Sequence, residues 1–361
     1  MIVSHKHKFI FVKTHKTATQ TFLKFIKPHL GPDDVMAGDP PFEGKDDENK
    51  ADTQVNIDKP FSTGKCALDY KEKYGNHLPW FMIKEIVGDD IWNNYTKFTI
   101  EREPQDRILS LFYFLNPNVV KPGMMQMTQA KKQKHHEDKT LPETVKWVQQ
   151  NSLLSAFPEQ TRHYFEEWCL AQLESPTLDL TSHETYDAAA NAIETKNALD
   201  VARRFKLNKL LDLYDGEAKW INPANGLEFA SFPYIDDPEL IIWKKPFDEG
   251  WPFFGQCRFL NYGNYFDGKE LRVDHVVDFK DVGNNLGKMF KAAEIDIDCN
   301  KTLYDAAIQN HHFRKNLAVK KDINWWYCGN KGDHIKAIIK RRFYNDNMNE
   351  KQINFNKIIS S

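Results

Sequence analysis

The stretch that decides the architecture is Lys8-Phe9-Ile10-Phe11-Val12-Lys13-Thr14-His15-Lys16-Thr17-Ala18-Thr19-Gln20-Thr21-Phe22. Lys8 to Lys13 is an apolar run held between lysines, the pattern of a short buried strand. Thr14 to Thr19 is a polar loop. Phe22, Phe25 and Ile26 then recur at helical spacing, and Pro28 with Gly31-Pro32 stops the helix. The unit is strand, loop, helix. A helix start offers free backbone N–H groups and the positive end of a dipole, which suits a phosphate or sulfate. Lys16 adds a full charge there, and Thr17, Thr19 and Thr21 add hydroxyls. The bland alternative is a threonine-capped helix beside a solvated lysine.

This loop is not a Walker A loop, whose glycines are missing. The nearest look-alike, Ser62-Thr63-Gly64-Lys65-Cys66, lacks both the upstream glycine and the final hydroxyl.

Outward from this unit, Met1 to Lys8 reads as a charged lead-in, and residues 32–65, rich in Asp, Pro, Gly and Lys, as a long irregular connection. Trp80 to Tyr95 reads as two short helices broken at Gly88. Lys97-Phe98-Thr99-Ile100-Glu101 is a second strand, and Pro104 opens a helix with Ile108, Leu109, Phe112 and Leu115 on one face. Residues 116–140 read as an exposed loop, 141–215 as mostly helical with Asp200 to Tyr214 the clearest case, and 220–256 as irregular and aromatic. Asp274 to Phe279 holds a third strand, a helix carries Leu286, Met289, Phe290 and Ala293, and Asp333 to Phe343 forms a last helix. Strands separated by helices predict an α/β fold with a central, mainly parallel sheet, in which ligands bind beyond the carboxyl ends of the strands.

A second strand-turn-helix lies at such an end: Glu101-Arg102-Glu103-Pro104-Gln105-Asp106-Arg107-Ile108-Leu109-Ser110. Arg102 can fork two bonds to a phosphate and Ser110, two turns into the helix, can add a third. Its plain reading is a helix with a surface Asp106/Arg107 pair.

The formal net charge of −2 excludes nucleic-acid binding through bulk charge. The five cysteines are scattered and form no C-x-x-C pair, which argues against a disulfide framework or a zinc site. His135-His136 and His311-His312 lack ligand partners at metal spacing, and no metal is expected. No signal peptide or apolar run of transmembrane length is read, so the expectation is a soluble, cytoplasmic protein.

Together the two motifs resemble the sulfotransferase superfamily, in particular carbohydrate O-sulfotransferases related to heparan sulfate 2-O-sulfotransferase and their bacterial and phage relatives. That family's Lys-Thr-Ala-Ser/Thr loop corresponds to Lys16-Thr17-Ala18-Thr19, and its Arg-x-Pro-x-x-Arg-x-x-Ser segment to Arg102 through Ser110, about 85 residues on. A weaker third match runs through Gln256, Asp267-Gly268-Lys269 and Asp274-His275-Val276-Val277-Asp278-Phe279. Glu103 stands where the family often has Asn, and Gln20 where it has a small residue.

The resemblance implies one three-layer, P-loop NTPase-like domain over residues 1–361, with 116–255 as an insertion shaping the acceptor site. It implies 3′-phosphoadenosine 5′-phosphosulfate (PAPS) as donor, its desulfated product PAP, and a hydroxyl-bearing acceptor, most directly a carbohydrate. His15, Lys16, Thr17, Ala18, Thr19, Gln20 and Thr21 would hold the 5′ end of the donor, and Arg102 and Ser110 the 3′-phosphate. Lys16 would neutralise the leaving group. His77, in the loop after Tyr74-Gly75-Asn76, would be the base, with His15 as the other candidate. Two other readings stay open. One is a kinase-type phosphoryl transferase. The other is a glycan-binding protein using Trp80, Trp243, Trp251, Trp325 and Trp326.

Overall fold

The computed structural model describes residues 1–38, 54–115, 153–156, 158–174, 182–187, 220–221, 228–229, 264–267, 270–308 and 321–344. The sheet at its centre has six strands. They are β1 (Ile2–Ser4), β2 (Phe9–Phe11), β3 (Val35–Ala37), β4 (Gln54–Val55), β5 (Thr96–Glu101) and, after a separate β6 (Trp220–Ile221) and β7 (Glu228–Phe229) pair, β8 (His275–Asp278). Their order is β4-β3-β1-β2-β5-β8.

The parallel half is the one expected. β2 pairs with β5 (Phe9 opposite Thr96) and β5 with β8 (Phe98 opposite His275), both parallel. The other half corrects the expectation of a mainly parallel sheet, because β1 pairs antiparallel with β2 and β3, and β3 with β4. The lead-in contains β1, and the connection expected to be irregular contains β3 and β4. Strands this short carry too few alternating residues for a periodicity to register.

Alternation along the strands sorts the core into two layers. Ile2, Phe9, Phe11, Met36, Phe98, Ile100 and Val277 face one side. There they meet Phe22, Leu23, Phe25 and Ile26 of α1 (Thr19–Ile26), Leu286, Met289 and Phe290 of α7 (Val282–Ala292) and Tyr304 of α8 (Lys301–Ile308). Val3, Ile10, Val12, Val35, Ala37 and Val276 face the other. That side is covered by α3 (Trp80–Asn94), α4 (Pro104–Leu115), α6 (Pro158–Glu174) and α10 (Gly329–Phe343). The short α2 (Ala67–Tyr74), α5 (Leu153–Ala156) and α9 (Ile323–Trp326) complete the described helices that bear names here. Helices therefore cover both faces of a mixed sheet.

Several local expectations hold. α3 is interrupted at Gly88, whose φ of 82° and ψ of 166° leave the helix, a conformation that glycine reaches without strain. The last helix starts four residues earlier than expected, at Gly329. The 116–140 loop, the helix at 200–214 and both histidine pairs fall outside the described residues. No helix among the described residues is long and apolar enough to cross a membrane.

Candidate active site at the carboxyl ends of the parallel strands

Because β2, β5 and β8 run parallel, their carboxyl ends open on the same edge, and each feeds a turn and a helix. The first turn, between β2 and α1, is built on buried hydroxyls. Thr14 Oγ1 donates to the carbonyl of Ile100 (2.6 Å) and lies 2.9 Å from Thr17 Oγ1. Thr19 Oγ1 donates to the carbonyl of Thr14 (2.8 Å), and Thr17 Oγ1 lies 3.3 Å from the same oxygen and 3.2 Å from Thr19 Oγ1. A threonine has one proton to donate. Those of Thr14 and Thr19 go to these carbonyls, and Thr17 sits inside the same network, so the hydroxyls shape the turn from within. Thr99 Oγ1 adds a bond to the carbonyl of Val12 (2.8 Å), which locks β2 to β5 where the turn begins.

Two residues of this turn without glycine's freedom lie in the left-handed region, Lys16 (φ 62°) and Ala18 (φ 56°). Such positions cost about 1–3 kcal/mol and gather at functional sites. Ala18 is also the N-cap of α1, and no side chain caps that helix start. The threonine-capped reading therefore fails, because the N-cap position holds an alanine. Gln20 is exposed and Thr21 half-buried on the first turn of α1.

The second turn, between β5 and α4, brings Arg102 to the first. Its Nη1 donates to the carbonyl of Lys16 (3.2 Å), across 86 residues of chain. Its Nε donates to Asp106 Oδ2 (2.6 Å), and its guanidinium carbon lies 4.7 Å from the centre of the Phe279 ring, just after β8. Three turns thus meet at one arginine. The third segment of the sequence, weak as a motif, supplies the aromatic floor beneath it. Ser110 is half-buried two turns along α4.

The acids flanking Arg102 are engaged away from its guanidinium. Glu101 forms an ion pair with Arg107 (3.2 Å), both side chains 1% exposed, and accepts from the Tyr265 hydroxyl (2.9 Å). Arg107 is therefore a buried partner of Glu101 and not the surface partner of Asp106. Glu103 Oε2 accepts from the N–H of Asp106 (2.8 Å) as a helix cap, and Glu103 Oε1 accepts from the Tyr344 hydroxyl (2.6 Å). Burial, aided by this bond to Glu103, pushes the Tyr344 phenol well above its ordinary range, so it remains a donor.

His15 and His77, the two candidate bases, are in contact. Their rings stack with centroids 3.6 Å apart and 27° between planes. His15 comes from the first turn and His77 from the loop between α2 and α3. Gly75 ends α2 at φ 81° with open space around it, so the conformation, not the room, calls for glycine. Behind the first turn, buried Asn264 donates to the carbonyl of Lys13 (3.1 Å) and accepts from the Tyr186 hydroxyl (3.3 Å). Tyr186, Asn264 and Tyr265 carry no sequence signal that points to this edge, since only the fold brings them there, and Phe279 ends the third motif segment, though nothing in that segment sets its ring under Arg102.

Two other sequence features lie elsewhere. The Walker look-alike is tied to α3, with Lys65 bonded to Glu85 (2.5 Å) and Thr63 to the carbonyl of Ile86 (2.6 Å). Trp326 is fully buried in the core and unavailable to a sugar.

These features define a class: an α/β protein with two strand-turn-helix units whose turns carry Lys16 and Arg102 and meet beyond the carboxyl ends of parallel strands. Residues 1–206, more than half of the chain, match the model of the sulfotransferase family. The chain belongs to that family, whose chemistry is sulfuryl transfer. No match to a curated protein or to a solved structure was found.

Proposed function

We propose that the protein transfers a sulfuryl group from PAPS to a hydroxyl, in the first place that of a carbohydrate. The observation that carries this reading is the bond from Arg102 to the carbonyl of Lys16, which sets the two anion-type turns side by side. PAPS has a charged group at each end, and a protein that binds it needs two such turns at a fixed distance.

The roles follow from the chemistry. Lys16 and the backbone N–H groups at the start of α1 take the 5′ end and neutralise the leaving phosphate. Thr17 and Thr19 hold the turn in shape, while Ala18, Gln20 and Thr21 supply main chain at the helix start. Arg102 and Ser110 take the 3′-phosphate, with Arg102 already oriented by Asp106 and Phe279. The acceptor oxygen attacks sulfur in line, the sulfur–oxygen bond to the 5′-phosphate breaks, and PAP leaves. His77 takes the hydroxyl proton, a contribution of about 10²–10⁴-fold. The carbohydrate preference rests on the resemblance of the two motifs to carbohydrate O-sulfotransferases, and residues 116–255 would shape the acceptor side.

The test is a donor panel. Purified protein is offered radiolabelled PAPS or ATP with desulfated polysaccharides, small glycans and tyrosine peptides. Label moving from PAPS to a saccharide supports the proposal. Label moving from ATP, or from PAPS to peptide alone, contradicts it.

A further inference from the structure

The stacked pair of His15 and His77 is more than two candidates for one task. Their rings lie at van der Waals separation and nearly parallel, although the residues come from different loops. A neutral imidazole face is a good neighbour for a protonated one, as aromatic faces are for cations. Two protonated rings at that spacing repel each other strongly. Groups coupled in this way lose their protons in steps that belong to the pair and not to either ring.

We propose that His15 is a positioning residue for His77, the two rings forming one stacked unit that takes up a single proton. This rests on the sulfotransferase reading above. In the unit His15 stays neutral and presents its face to His77. When the acceptor's O–H bond breaks, the proton goes to a ring nitrogen of His77, and the new imidazolium lies against that face. The electron pair left on the acceptor oxygen forms the bond to sulfur, and the pair of the broken sulfur–oxygen bond departs on PAP.

The charges around the pair favour one proton over two. From its own turn, His15 has Lys16 beside it and Lys13, 1% exposed, two residues back. From the turn after β5, the Arg102 guanidinium reaches the carbonyl of Lys16. On the His77 side, the Asp187 carboxylate of the 182–187 segment is already taken by Lys73 (2.6 Å) and the Tyr74 hydroxyl (2.7 Å) of α2. Asp106 offsets the Arg102 charge (2.6 Å), so it is the nearby cations Lys13 and Lys16 that add to the repulsion a second proton meets.

The test has an arm that needs no substrate. The ring resonances of His15 and His77 are followed by NMR from pH 9 to pH 4 in the wild type and in His15→Phe, which keeps a flat ring but cannot take a proton. The expected result is two steps in the wild type, separated by more than about one pH unit, with both rings responding to each, and a single step for His77 in His15→Phe. Independent one-step titrations, with His77 unaltered in His15→Phe, would overturn the inference. The second arm is kinetic. His15→Ala should lower kcat by about 10–100-fold, and His15→Phe should restore most of that loss. Equal loss in both variants would also overturn it. If coupled titration is found but no sulfuryl transfer, the proposed function fails while the pairing of the rings stands.

Discussion

At the scale of the residue, the site depends on side chains whose surroundings fix their behaviour. Lys16 and Ala18 hold left-handed backbone without being glycine. At Ala18 the cost is that of a methyl group close to the following carbonyl, about 1–2 kcal/mol. Glycine would remove it and give back roughly 0.5–1 kcal/mol through the freer unfolded chain. Ala18→Gly is therefore expected to raise stability by about 0.5–1 kcal/mol, read as a higher midpoint in urea. A lower midpoint would mean that the Ala18 methyl packs usefully. That Lys16, Thr17, Ala18 and Arg102 lie in turns between a strand and a helix was legible in the sequence, because such units use local patterns. The inward bonding of Thr17 and Thr19 was not, because a hydroxyl's partner depends on what the fold brings near it.

At the scale of the element, Asp34 joins three segments. Its carboxylate accepts from the N–H groups of His5 (2.7 Å), Lys6 (3.0 Å) and Gly31 (2.8 Å) and from the Ser4 hydroxyl (2.6 Å). It thereby pins the turn between β1 and β2 to the approach to β3. Burial pushes this carboxyl up, but the Ser4 hydroxyl and the three N–H groups outweigh burial and hold it below its ordinary value of 3.8. A depressed folded value stabilises the fold above the unfolded value, and that contribution is lost as pH falls through the folded one. Asp34→Asn is expected to cost about 1–3 kcal/mol at neutral pH, with the difference from wild type shrinking below about pH 4. A difference that stays constant from pH 7 to pH 3 would contradict this account. The strands that Asp34 organises were missed in the sequence for the same reason that they need it. β1 and β3 have three residues each, too few to announce a period or to stand without side-chain ties.

At the scale of the molecule, the buried Glu101–Arg107 pair links β5, the middle strand of the parallel half, to the far end of the chain. Arg107 also lies over the ring of Phe343 (5.9 Å), and Tyr327 and Tyr344 bond to the carbonyl of Gln105 (2.9 Å) and to Glu103. α10, outside the residues that match the family model, thus braces the start of α4, where Arg102 sits. Breaking a buried pair from one side leaves a charge stranded, at about 3–5 kcal/mol. Arg107→Met is expected to show such a loss, and Glu101→Gln combined with Arg107→Met to be more stable than the sum of the single changes requires. Additive losses would remove the pair from the account. The parallel half of the sheet and its two motif turns could be read from the sequence. The antiparallel half could not, because its strands are too short to show a period, nor could the place of Phe279 beneath Arg102 or the brace from α10, which join residues far apart in the chain.

The proposed donor site is made from the two turns that Arg102 bridges. The most direct measurement is calorimetric titration of the protein with PAP, run beside Lys16→Ala and Arg102→Ala. Micromolar binding by the wild type is expected, weakened at least about tenfold in each variant, which corresponds to about 1.4 kcal/mol or more. Absence of binding by folded wild-type protein, or binding that neither substitution disturbs, would contradict it.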